Sequence, residues 1–130
     1  HDALPIYAEK IYQLLKIPYH VINIASGALN DNGSKKYDLE GWFPGSETYR
    51  ELVSCTNCLD YQARKLNIRC GTIGDKDSYR VAHTLNSTAI ATERTMCCIL
   101  ENYQNEDGSV NVPEVLIPYM GGKKIIGKKP

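Results

Sequence analysis

Residues 83–103, HTLNSTAIATERTMCCILENY, read as a strand end, a polar turn and a long apolar helix carrying one arginine. Asn86 and Ser87 are both good N-cap residues, because a short side-chain oxygen can accept from the free N–H groups of a first turn. A helix starting there runs to about Gln104 and places Arg94 in its middle. Its neighbours three and four positions away, Ile90, Ala91, Cys97 and Cys98, are then all apolar. A guanidinium stays charged and requires a partner when it leaves water. Glu93 is adjacent in sequence, so on a helix it faces elsewhere. The anion for Arg94 therefore comes from another element or from a ligand.

Upstream, residues 4–16 (LPIYAEKIYQLLK) have Leu4, Tyr7, Ala8, Ile11, Leu14 and Leu15 at helical spacing, with Pro5 tolerated in the first turn. Tyr19 to Ala25 alternates and is β-branched, so it reads as a strand. A loop rich in Gly, Asn and Ser follows (SGALNDNGSKK, 26–36). Tyr37 to Phe43 and Thr48 to Cys55 are two strands joined around Pro44-Gly45-Ser46, as in a hairpin. Asp60 to Leu66 is a short helix, Ile68 to Thr72 a strand, 74–78 a turn and Tyr79 to Leu85 another strand. Val112 to Tyr119 is a short helix bounded by prolines. The end, GGKKIIGKKP, is basic and expected to be poorly ordered. Strands outnumber helices and come in adjacent pairs, which predicts an α+β fold: an antiparallel sheet with flanking helices. The predicted division is a body over 1–120 and a tail over 121–130.

The 130 residues suffice for one domain with one core. A formal net charge of +0 gives no global basic field of the kind that gathers nucleic acid. No apolar run approaches the roughly 20 residues of a membrane span, and no membrane partner is expected. HDALPIYAEK lacks the basic-then-apolar pattern of a signal peptide. Five cysteines, with Cys97 and Cys98 expected to be buried in the helix, fit a reducing compartment better than a disulfide framework. Cys55-x-x-Cys58 lacks a second Cys or His pair at zinc spacing, so no zinc is expected. Asn86-Ser87-Thr88 matches the N-glycosylation pattern, but nothing suggests secretion and the turn leads into the helix.

Four stretches in order carry a family resemblance. They are Tyr37-Asp38-Leu39-Glu40 with Trp42-Phe43-Pro44, then YRELVSCTNCLDYQARKLNIRC (49–70), HTLNSTAIATER (83–94) and LENYQNEDGSVNVPEVLIPYM (100–120). Together they resemble the C-terminal part of the seryl-tRNA synthetase catalytic domain, a class II aminoacyl-tRNA synthetase, and look most like its eukaryotic cytosolic branch. The resemblance implies an ATP-dependent serine–tRNA ligase that activates serine with ATP and Mg²⁺ and transfers it to tRNA(Ser). It also implies a cytoplasmic, homodimeric enzyme. By this resemblance Arg94 holds the ATP γ-phosphate, a role suited to a permanently charged bidentate donor. Glu51, Leu52, Val53 and Ser54 match the ATP segment, with Glu51 and Ser54 supplying oxygens to Mg²⁺, which favours hard oxygen ligands. Asn86 and Thr88 match the serine-recognition positions, where an amide and a hydroxyl can pair with a small hydroxyl.

The metal assignment carries a geometric demand. In a regular strand residues 51 and 54 point to opposite faces. For both to reach one ion the strand must bulge or end near Val53. The resemblance also implies that the first two class II motifs, the tRNA-gripping arm and one serine-site carboxylate lie upstream of His1. The chain is thus expected to be the C-terminal part of a longer enzyme, unable to activate serine alone. The alternative is a non-catalytic synthetase-like binding protein.

Overall fold

The computed structural model describes residues 3–127. The first helix, α1, spans Ala3–Leu14. Its anchor is a residue the helical spacing did not single out. Tyr12 is fully buried and shares a 3.0 Å hydrogen bond with the Thr95 hydroxyl, whereas Tyr7 and Leu14, expected on the apolar face, are 66% and 60% exposed. Ala8 and Leu15 of the expected face are buried and Ile11 packs against the core, and Tyr12 joins them in place of Tyr7 and Leu14.

Strands β1 (Tyr19–Asn23), β2 (Lys35–Phe43) and β3 (Thr48–Leu59) follow. Helix α2 (Tyr61–Leu66) and strands β4 (Arg69–Cys70), β5 (Arg80–Val81) and β6 (Thr84–Ser87) come next. The main sheet is antiparallel in the order β1-β2-β3-β6. The expected hairpin is present, turning on a 3-10 turn over Pro44–Ser46 with Glu47 in the left-handed region at φ 48°.

Several boundaries differ from the sequence expectation: β3 runs on past Cys55 to Leu59, and the strand expected over Ile68 to Thr72 is only Arg69–Cys70. The single strand expected over Tyr79 to Leu85 is two strands: β5 pairs with β4 in a small ribbon, and β6 crosses to the main sheet. The helix expected after Asn86 or Ser87 is α3, Thr92–Asn102. Asn86 and Ser87 do not cap it because they pair with Thr56 and Cys55 of β3. That edge goes on taking backbone donors, Thr88 N–H to the Ser54 carbonyl at 3.2 Å and Ala91 N–H to the Leu52 carbonyl at 3.2 Å. Helical bonding begins only after those groups are used. Finally, residues 121–127, expected as a loose tail, form a turn and a strand, β8 (Ile125–Ile126), which pairs with β7 (Val110–Asn111). The short helix expected over Val112 to Tyr119 is present as a 3-10 helix over Glu114–Met120, tightened around the internal Pro118.

The core lies on one face of the sheet. Leu39, Phe43, Leu52, Val53 and Cys55 are buried there with Tyr12 of α1, Leu15 just beyond its end, and Cys98 of α3. Gly41 is where α3 crosses β2: a Cβ there would collide with Leu52 Cδ1 and lie 3.2 Å from Cys98 Sγ. The Asn102 amide, donating to the Trp42 carbonyl at 2.9 Å, fixes the far end of α3 on the same strand. Burial pushes the Cys98 thiol up to about 11. Cys97, expected to be buried beside it, is exposed, since it falls on the outer side of the helix.

Candidate functional site

The demand that residues 51 and 54 share a face is met by a bulge. Leu39 pairs with Val53 and Glu40 pairs with Glu51, so Leu52 is an extra residue with no partner in the ladder. Leu52 and Val53 are each 1% exposed, and both side chains belong to the core. Cross-strand partners share a face, as do alternate residues of one strand. Asp38 and Glu40 are alternate residues and pair with Ser54 and Glu51 respectively, so Glu51 and Ser54 lie together on the face opposite the core. Asn86, paired with Thr56, falls on that same face one strand further on.

The bulge limits what Leu52 and Val53 can offer a ligand. Their side chains are committed to the core, which leaves backbone groups only, and the Leu52 carbonyl is already bonded to Ala91. Glu51 and Ser54 are half-buried and Asn86 and Thr88 are exposed.

Arg94 differs from its sequence reading in a way that bears on chemistry. It is the third residue of α3, in the first turn, and it is exposed. Its Nη1 donates to the Glu51 carbonyl at 2.7 Å, which ties the helix start to the bulged strand. That acceptor is a neutral dipole. No carboxylate pairs with Arg94 among the described residues. A cation in the first turn also opposes the helix dipole, which favours anions at that end. Glu93 offsets part of this; its own backbone N–H and the Thr92 hydroxyl hold its carboxyl below the usual range. An external anion at this end would satisfy both the guanidinium and the helix.

The face carries further polar residues that the sequence reading did not select. The Lys36 ammonium lies 3.1 Å from Asp38 Oδ2 and 3.8 Å from Glu51 Oε2. His20 Nε2 is 2.7 Å from Glu40 Oε2, and its ring stacks on Tyr49 with centroids 4.0 Å apart. Tyr49 in turn meets Trp42 edge-on at 5.0 Å. The available signal was the alternation of Lys36, Asp38, Glu40 and Trp42 along β2.

Two hard oxygen donors on one face suit a magnesium ion. That ion is commonly held by one or two carboxylates plus substrate phosphates rather than by an all-protein cage. An apolar hollow of about 460 Å³, lined by Leu15, Ile90, Met96, Val112 and Leu116, lies on the core side and takes no part in this face.

A family model described as the tRNA synthetase class II core domain (G, H, P, S and T) matches residues 4–103. The chain belongs to this family. Among class II core relatives, the serine–tRNA ligase of Methanosphaera stadtmanae is 66% identical over 129 residues, covering 99% of this chain and 30% of the relative. That of Helianthus annuus is 61% identical, covering 97% of this chain and 29% of the relative. The crystal structure of seryl-tRNA synthetase from Pyrococcus horikoshii complexed with ATP superimposes with a TM-score of 0.92 at 49% identity, over 100% of this chain and 29% of that one. That of the cytoplasmic serine–tRNA ligase from Naegleria fowleri in complex with AMP gives 0.90 at 54%, over 99% and 30%. The chain thus spans about 30% of the length of the relatives it matches. The likeness is shared by archaeal and eukaryotic ligases and is not confined to the eukaryotic cytosolic branch that the sequence suggested.

Proposed function

We propose that this class II core is the ATP- and serine-binding part of a cytoplasmic, homodimeric serine–tRNA ligase, which forms seryl-adenylate and passes serine to tRNA(Ser). The observation that carries this reading is the Leu52 bulge. It gathers Glu51, Ser54 and Asn86 on one face, with Arg94 fastened to the bulged strand.

Each residue then has a physical task. Arg94 binds γ-phosphate oxygens through its remaining N–H groups, and the first turn of α3 adds a favourable dipole. Glu51 and Ser54 would hold Mg²⁺, which would supply positive charge to offset that of the phosphates. Asn86 and Thr88 pair with the serine hydroxyl and leave polar groups unsatisfied when alanine binds instead. The reaction needs no side-chain base: the serine carboxylate attacks the α-phosphate and pyrophosphate leaves. Catalysis is then positioning plus charge stabilisation.

The test is serine-dependent ATP–pyrophosphate exchange by the full-length protein. Arg94→Ala is expected to lower the rate about 100-fold or more, the scale of removing one pre-organised charge-stabilising donor. An unchanged rate would show that Arg94 only braces the Glu51 carbonyl, whereas no serine-dependent exchange by the parent protein would favour a non-catalytic binding role.

A further inference from the structure

The ligand reading of Ser54 leaves one atom to be placed. A hydroxyl that offers its lone pair to a metal must send its hydrogen elsewhere. Asp38 pairs directly with Ser54 across the β2–β3 ladder and shares its face. Asp38 is 4% exposed, and its Oδ2 is engaged by Lys36 at 3.1 Å. Its Oδ1 is buried and has no hydrogen-bond partner in this structure. An unpaired buried acceptor is costly, and such atoms are rare enough to call for a reason.

We propose that Asp38 is a positioning residue for the metal-ligating face: Oδ1 accepts the Ser54 hydroxyl hydrogen and so turns the Ser54 lone pair toward the divalent cation. This inference rests on the assignment of Ser54 as a metal ligand. Lys36 completes the device. It neutralises Asp38 through Oδ2, which fixes the carboxylate with Oδ1 free, and its ammonium also reaches to 3.8 Å from Glu51 Oε2. Both proposed ligands are therefore oriented by one buried ion pair. Groups that orient ligands in this way typically change metal affinity about 10- to 100-fold when replaced.

The geometry makes an unusual forecast for an isosteric change. In Asp38→Asn the Lys36 ammonium, a donor only, draws the amide carbonyl to itself. The amide NH₂ then faces Ser54 and donates into the lone pair the metal needs. Removing the Lys36 donor frees the amide to turn round and accept from Ser54 again.

The experiment measures Mn²⁺ binding to the full-length protein with ATP present, by electron paramagnetic resonance, alongside thermal unfolding. Asp38→Asn is expected to weaken Mn²⁺ binding about tenfold. Lys36→Met with Asp38→Asn should restore most of it relative to Lys36→Met alone. In a Ser54→Ala background Asp38→Asn should cost nothing further. Unchanged Mn²⁺ affinity in Asp38→Asn, or the same loss with Ser54 absent, overturns the inference while leaving Ser54 as a ligand. If Ser54→Ala itself binds Mn²⁺ as the parent does, the metal reading of Ser54 fails, and this inference fails with it. Because a merely structural Asp38 would move the unfolding temperature without coupling to Ser54, the two roles separate.

Discussion

The two faces of the β1-β2-β3-β6 sheet solve opposite problems with the same strands. The core face is closed: Leu39, Phe43, Leu52, Val53 and Cys55 meet α1 and α3, and Gly41 has no room for a side chain. The other face leaves Glu51, Ser54, Asn86 and Thr88 within reach of solvent. The bulge at Leu52 serves both. It gives the core two consecutive buried side chains and, by the same extra residue, turns Glu51 onto the face of Ser54. Packing and site geometry are thus not independent, although most residues contribute to only one of them.

That division predicts which changes cost stability and which cost function. The largest effect belongs to the core. Tyr12→Ala should lose about 4 kcal/mol by chemical denaturation, as for a large buried aromatic. Tyr12→Phe, which gives up only the Thr95 hydrogen bond, should lose about 1 kcal/mol. Gly41→Val should cost about 2 kcal/mol by overpacking, with α3 displaced from β2. An Asn86→Ala protein should unfold within about 0.5 kcal/mol of the parent. It should nonetheless lose on the order of tenfold in preference for serine over alanine in ATP–pyrophosphate exchange, because one hydroxyl partner is gone. A stability loss of 2 kcal/mol or more there would break the separation of the faces.

The smallest effect is a pH dependence. Burial raises the Cys98 thiol from 9.0 to about 11 in the folded chain. The folded state therefore favours the neutral thiol. Its contribution is fully present below pH 9 and is lost as pH rises through 11. Replacing Cys98 by Ala should flatten the alkaline decline of stability between those values. An equally steep decline would assign it to other groups.

Much of this was legible in the sequence where a pattern meets one strong constraint. The β2–β3 hairpin shows as alternation around Pro44-Gly45-Ser46, and the requirement that Glu51 and Ser54 share a face foretold a bulge near Val53. The start of α3 was not legible. Asn86 and Ser87 are good caps by residue type, but the β3 edge claims them, and sequence does not show which competitor wins. Arg94 changed most: it stands exposed in the first turn, not in mid-helix. The two-residue pairing of β7 with β8 is too short to leave a period, so 121–127 read as tail. Lys36 and Asp38 were passed over because a lysine and an aspartate on a strand look like an exposed face until their burial is known.

The central claim is that the Leu52 bulge sets Glu51 and Ser54 on a single divalent ion. Mn²⁺ affinity of the full-length protein with ATP, compared among Glu51→Gln, Ser54→Ala and the double variant, tests it most directly. The account predicts that each single change weakens binding about tenfold or more and that the double loses less than the sum, since both oxygens serve one ion. Full affinity in either single variant, or strictly additive losses in the double, would contradict it.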